Sequence, residues 1–382
     1  MSVMGSFFEI TLVLPTLCYG GAERAMVNMA NWWARGMVPV NLITFDKRPS
    51  PYPLAPEVRR IAIDEQQADA VAGDYAVWPE EAVNIGRLRA ALTATGPGPV
   101  VSFLTKMNVR TLCALQGSAR RVFVSERAFP PYEPLPESVH ALRGRLYPHA
   151  AGITVLTEQC KREWGDRNFP PHMVHVTPIS SERVAFDGNT GGGEAHCALP
   201  EKFMLATGRL ELQKGFDLLL HALALAVKKC PDIRLIVAGE GSQREVLQEL
   251  CSSLGLEEHV SFPGIFPRLD LVMHRAMGFV LSSRYEGFCN TMLEALGHGL
   301  PVLAFDCPAG PGEVLRGSGA GILVEAENIE ELAQAMTVMW TDEALRKRLA
   351  AQAPSALTPY ALELVMARWN ALLEVPSPGT CS

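Results

Sequence analysis

Glu286 and Glu294 stand eight residues apart, with Gly287 and a helix-start residue, Asn290, between them. Phe279-Val-Leu281 before them reads as a buried strand. The stretch is therefore a strand, a tight loop and a helix, with one acid in the loop and one in the helix's second turn. A helix N-terminus offers free N–H groups and partial positive charge, which suit a phosphate. Carboxylates on either side of it repel phosphate but accept hydrogen bonds from hydroxyls. The implied ligand has a polyol, a phosphate and a second polyol, as a nucleotide-sugar does. A second loop carries Arg209 and Lys214, five apart between Gly208 and Gly215, directly after the apolar run 203–207. Two cations there can converge on a diphosphate through charge-assisted hydrogen bonds, each contributing roughly 1.5–3 kcal/mol. A P-loop is absent, because no Gly-x4-Gly-Lys-[Ser/Thr] occurs. In the first half, Gly20 and Gly21 join the first apolar run to a helix without a Gly-x-Gly-x-x-Gly fingerprint, which argues against a nicotinamide dehydrogenase.

Strand-like and helix-period segments alternate along the chain, the pattern of parallel sheets flanked by helices. Strands are expected near 7–14, 38–45, 99–104, 121–125, 152–156 and 173–177, then near 203–207, 233–238, 260–262, 278–282, 301–305 and 321–324. After the first strand, Ala22, Ala25, Met26, Met29 and Trp33 form one buried helical stripe. Later helices are expected near 216–229, 242–254, 290–297, 328–340 and 342–352. The glycine-rich segment 186–197 reads as a linker between domains 1–185 and 198–358. Residues 359–375 read as a terminal helix.

The sequence Glu286-Gly-Phe-Cys-Asn-Thr-Met-Leu-Glu294, followed by Ala295-Leu-Gly-His-Gly-Leu-Pro-Val302, resembles the retaining glycosyltransferases of family 4, which have the GT-B fold. So do Gly208-Arg-Leu-Glu-Leu-Gln-Lys-Gly-Phe-Asp217 and Gly20-Gly-Ala-Glu-Arg24. The fold implied is α/β, GT-B: two doubly wound Rossmann-like domains facing across a cleft, with the terminal helix returning to the first. The resemblance implies that Arg209 and Lys214 stabilise the leaving diphosphate, that Glu286 holds the donor sugar and that Glu294 binds the ribose. It also implies donor contacts from Gly20, Gly21, Gly208, Gly239, Glu240, Ile265, Gly287, Phe288, Asn290 and Thr291. The implied reaction is a front-face transfer in which a donor phosphate oxygen takes the acceptor proton. No side-chain base, metal or cofactor is then expected, and the donor is expected to be UDP-linked. Ser125-Glu-Arg127 and the run from Phe305 to Glu313 resemble the subgroup that extends undecaprenyl-diphosphate-linked oligosaccharides with N-acetylhexosamines. Many family members carry a histidine near the reacting carbon. Here Phe103-Leu-Thr-Lys-Met-Asn108 stands in that place, which leaves Lys106, Asn108 and Arg127 as acceptor-binding candidates. Two rival readings use the same architecture: a sugar-nucleotide epimerase or phosphorylase, and a non-catalytic nucleotide-sugar-binding protein.

Composition sets the remaining bounds. The 382 residues are 48% hydrophobic and 20% charged, with a net charge of −7, as expected of a soluble protein of two domains. No basic helix or aromatic-basic platform points to nucleic acid. Nine scattered cysteines without a Cys-x-x-Cys pair argue against disulfides and zinc. The N-terminal stretch does not read as a signal peptide, so a cytoplasmic location is expected. Segment 106–145 holds Lys106, Arg110, Arg120, Arg121, Arg127, Arg143 and Arg145 against Glu126, Glu133 and Glu137. With Trp32, it suggests a lipid-diphosphate or other glycan acceptor and a peripheral place on the cytoplasmic face of the inner membrane.

Overall fold

The computed structural model describes residues 8–376 apart from 19, 65–77, 79–80, 134, 166–168, 179, 181–198 and 267. The chain divides into two compact units, residues 1–188 with 362–382 and residues 189–361. The expected linker, 186–197, lies outside the described residues.

The first unit holds β1 (Ile10–Leu14), α1 (Gly21–Arg35), β2 (Val40–Thr44), β3 (Val58–Ala62), α2 (Ala82–Thr93), β4 (Val100–Phe103), α3 (Thr105–Ala114), β5 (Val122–Ser125), α4 (Glu137–Leu146), β6 (Gly152–Val155), α5 (Glu158–Gly165) and β7 (Val174–Val176). Its sheet is parallel, in the order β3-β2-β1-β4-β5-β6-β7. The central strands are fully buried, as short apolar runs covered on both faces must be. β3 was not expected. It pairs with β2 alone and carries Arg59 and Arg60, so its sequence lacks the apolar signature of an inner strand.

The second unit follows the same plan: β8 (Met204–Thr207), α6 (Phe216–Val227), β9 (Leu235–Ala238), α7 (Arg244–Ser253), β10 (Val260–Gly264), α8 (Leu269–Arg275), β11 (Gly278–Leu281), α9 (Asn290–Gly297), β12 (Val302–Phe305), α10 (Pro311–Leu315), β13 (Gly321–Val324), α11 (Ile329–Thr341) and α12 (Glu343–Leu357). The order is β10-β9-β8-β11-β12-β13, again parallel. Leu219, Leu220 and Leu223 of α6 share a buried core with Met336 and Trp340 of α11. Helix α12 runs through Pro354 rather than stopping near 352. That proline is exposed, where water can satisfy the carbonyl left without a partner. The short helices α8 and α10 had escaped the sequence reading.

The last helix, α13 (Leu362–Leu373), belongs to the first unit. Its Trp369 ring lies 6.3 Å from that of Phe103. Asn370 Oδ1 accepts from Trp33 Nε1 at 2.7 Å. The helix starts three residues later than expected, because Thr358–Tyr360 form a 3-10 turn.

Candidate active site

In the second sheet, β8 and β11 are neighbours from which the chain winds in opposite directions, the place where ligands settle at strand carboxyl ends. The loops that follow them are stitched together. Arg284 N donates to Gln213 O at 2.8 Å. Gln213 Nε2 donates to Tyr285 O at 3.0 Å. Ser282 Oγ donates to Lys214 O at 3.0 Å. The Arg284 guanidinium grips Asp217 with two bonds, 2.8 and 2.6 Å. Gly215 has φ 60°, and a Cβ there would run into Ser282 O, so the approach of the loops requires glycine.

This stitching brings Lys214 and Glu286 into direct contact, Nζ to Oε1 at 2.7 Å, with both side chains largely buried. Ser283 Oγ donates to the same Glu286 oxygen at 2.6 Å. Burial alone would pull the Lys214 amine down, but the adjacent Glu286 charge and its hydrogen bond more than offset this, and the amine is held above its ordinary value. Lys214 is therefore a fixed cation. Arg209 is exposed and makes a 3.4 Å contact to Gln213 Oε1.

Helix α9 begins at Asn290 with no side-chain cap from Cys289. The buried Asn290 Oδ1 has no hydrogen-bond partner. The start of α9 is thus left without a side-chain cap after β11, an arrangement in which backbone N–H groups can meet an anion. Glu294 lies one turn further on, and both it and Thr291 are half-buried. Gly287 and Phe288 are buried, and the Phe288 ring packs 5.3 Å from Tyr360. The Cys289 thiol is pushed up to about 12, chiefly by burial, and is a packing group. At the end of β9, Gly239 has φ 142°, and a Cβ there would strike Gly208 O. Its neighbour Glu240 is exposed and paired with Arg244 at 2.7 Å. Ile265 is 62% exposed beyond β10.

In the first unit Gly20 precedes α1, which also starts without a side-chain cap; the Tyr52 hydroxyl lies 3.1 Å from Gly20 N. The acceptor candidates fare differently from expectation. Asn108 is fully buried, its amide donating to Ser125 O and to Tyr147 Oη, both at 3.1 Å, so it faces the core and not a ligand. The Lys106 amine is paired with Glu81 at 2.8 Å. Arg127 lies over the Phe103 ring at 4.1 Å, and its Nε has no partner. Burial draws its guanidinium below the ordinary value. Within segment 106–145, Arg110 is buried on Glu81, Arg120 bonds Gly98 O and Leu92 O, Arg121 meets Glu374 and Arg143 meets Glu133, while Arg145 is exposed. Trp32 is half-buried.

Ser283, Gln213, Asp217 and Arg284 were missed as site-forming residues. Their signal was position alone, in the loops or first turn after two central strands. Among the described residues, no three His, Cys, Asp or Glu side chains converge as metal ligands, and no helix is long and apolar enough to cross a membrane.

Residues 197–356 match the family model described as glycosyl transferases group 1. An uncharacterized glycosyltransferase of Haemophilus influenzae is 29% identical over 58% of this chain and 60% of its own length, so the match spans less than two thirds of that relative. Another relative matches end to end. The Campylobacter jejuni GalNAc-alpha-(1->4)-GalNAc-alpha-(1->3)-diNAcBac-PP-undecaprenol alpha-1,4-N-acetyl-D-galactosaminyltransferase is 24% identical over 96% of this chain and 98% of its own. Among solved structures, Anabaena HepE in complex with UDP and glucose superposes with a TM-score of 0.76 at 16% identity, over 97% of this chain and all of the other.

Proposed function

We propose that the chain is a glycosyltransferase of the GT-B fold, with residues 197–356 as its group 1 module, and that it moves a hexose or N-acetylhexosamine from a UDP-sugar to a hydroxyl of a polyprenyl-diphosphate-linked saccharide or a related glycan precursor, with retention of configuration. The observation that carries this reading is the Lys214–Glu286 pair set beside the uncapped start of α9. Lys214, Arg209 and the α9 N–H groups supply positive charge where a diphosphate leaves, and they supply it before reaction, with no reorganisation. That set can neutralise the leaving group without a divalent ion. Glu286 accepts from hydroxyls of the transferred sugar, and Lys214 holds it oriented. Glu294 accepts from the ribose. Gly287, Phe288 and Thr291 shape the turn that carries these groups, while Gly208, Gly239, Glu240 and Ile265 border the nucleotide. The uncapped start of α1 at Gly20 and Gly21, with Arg127, gives the first unit its own attraction for anions, and the acceptor's phosphates fit that charge.

Two of the first unit's carboxylates are engaged within the fold, which supports retention. An inverting enzyme needs a carboxylate or histidine within reach of the acceptor hydroxyl. Of the first unit's carboxylates, Glu81 is bound by Lys106 and Arg110, and Glu126 is buried among Thr105, Asn108 and Tyr147. The test combines transfer assays from a panel of UDP-sugars with proton NMR of the fresh product. An α-linked donor should give an α-linked product. An inverted linkage would remove the front-face mechanism, and conversion of the donor without any acceptor would favour an epimerase. Flotation with anionic liposomes tests peripheral attachment: full activity on a soluble acceptor without binding would leave a water-soluble acceptor as the substrate class.

A further inference from the structure

The first unit holds a buried carboxylate cluster that the proposed reaction does not use. It lies at the carboxyl ends of β4 and β5. Thr105 opens α3 directly after Leu104, whose φ of 75° is a strained conformation for a side chain of that size. Thr105 Oγ1 stands 2.7 Å from Glu126 Oε2 and 2.6 Å from Glu133 Oε1. The Tyr147 hydroxyl closes on the other Glu126 oxygen. Asn108 Nδ2 donates to that hydroxyl at 3.1 Å, so the tyrosine gives its own proton to Glu126.

Counting protons decides what this arrangement needs. Three close oxygen–oxygen contacts each require one hydrogen, and the two hydroxyls supply two. The third must sit on a carboxyl group. Glu126 already accepts from Tyr147 and lies 3.5 Å from Asn108 Nδ2. The cation beside Glu133 is Arg143, at 3.4 Å, and the other face of that guanidinium meets His140 at 3.0 Å. The neighbouring cations are engaged elsewhere, Lys106 by Glu81 and Arg127 by the Phe103 ring. Helix α5 packs on the turn at 130–132 without adding an ion pair to Glu133.

We infer that Glu133 is held as a neutral carboxylic acid donating to Thr105, and that this proton makes it a positioning residue that braces the turn after β4 against the end of β5. The turn borders the place where the winding of the first sheet reverses, between β1 and β4, the edge at which such sheets bind ligands. Burial, reinforced by the Glu126 charge, raises the Glu133 carboxyl to about 7. An unfolded glutamate releases its proton near its ordinary value of 4.5. Between those values the folded chain binds the extra proton, so stability falls as pH rises through that window and levels off above about 7. Once ionised, Glu133 and Glu126 face each other across one hydroxyl that can satisfy only one of them.

Glu133→Gln is the test, because its amide still donates to Thr105 and never titrates. Infrared spectra near about pH 6 should show a protonated-carboxyl stretch in the parent chain that is missing from the variant. The melting temperatures should agree near about pH 5 and diverge by about 2–4 °C near about pH 8, with the variant the more stable. A carboxyl band that persists in Glu133→Gln would place the proton elsewhere and overturn the assignment, as would a melting difference that does not change with pH. A third arm rests on the proposed transfer reaction: the parent's rate should decline above about pH 7 and the variant's should not. The spectroscopic and melting arms need no substrate, so a wrong substrate and a wrong proton give different results.

Discussion

The loops after β8 and β11 in the second unit and those after β4 and β5 in the first all leave the carboxyl ends of parallel strands, yet they handle charge differently. In the second unit one paired cation, Lys214, stands with an exposed Arg209 and an uncapped helix start. In the first, Glu81 is answered by Lys106 and Arg110, and Glu126 by the hydroxyls of Thr105 and Tyr147. The second unit leaves Arg209 exposed and the start of α9 uncapped, whereas the first closes most of its charges on one another. Counting basic residues along the chain therefore says little about where an anion binds. What matters is which cations stand in the loops at strand carboxyl ends with a side exposed, as Arg209 does.

The comparison breaks most directly at Lys214. Lys214→Ala should lower turnover about a hundredfold or more, the consequence of losing roughly 3 kcal/mol of stabilisation that appears as the diphosphate departs. Steady-state kinetics with unchanged turnover and only a raised donor KM would remove its leaving-group role. The next effect should come from the stitching. Arg284→Ala releases a paired, mostly buried contact to Asp217 and should raise donor KM about tenfold, the equivalent of roughly 1.4 kcal/mol. Unaltered donor KM would mean that the two loops hold their places without it. Calorimetry with UDP then separates the two acids: Glu294→Ala should weaken it several-fold, and Glu286→Ala should leave it nearly unchanged. Equal losses would contradict the assignment of one acid to each end of the ligand. The smallest effect belongs to the first unit. Lys106→Ala should change acceptor KM by less than about threefold, since its amine is bound to Glu81 and exposed pairs contribute about 0–1 kcal/mol. A tenfold rise would show that the lysine leaves Glu81 for the acceptor.

Both sheets were legible because their inner strands are short apolar runs with helices between them, and that pattern has few other structural solutions. β3 was not, since Arg59 and Arg60 on an edge strand look like a loop. The Glu286–Glu294 element was legible as a strand, a turn and a helix start. Its link to Lys214 was not, because the partners lie 72 residues apart and meet only when β8 and β11 become neighbours. Asn108 misled for a related reason. Almost every residue of α3 is buried, so polarity and position after a strand did not reveal which way the side chain turned. Glu126 was passed over because Arg127 stands next to it, and Glu133 because it lies in a proline-rich stretch that reads as a surface loop, while the hydroxyl that joins them comes from residue 105.

Helix α13 sets an order on biosynthesis. Trp369, 1% exposed, and Asn370 complete a core whose other members, Trp33 and Phe103, leave the ribosome hundreds of residues earlier. The whole of the second unit is translated in that interval and can fold as soon as it emerges. The first unit must wait with an apolar groove uncovered between α1 and β4. A released chain truncated just before residue 362 should therefore protect the second unit from protease and leave the first open to cleavage, making the N-terminal half the last to reach its native state.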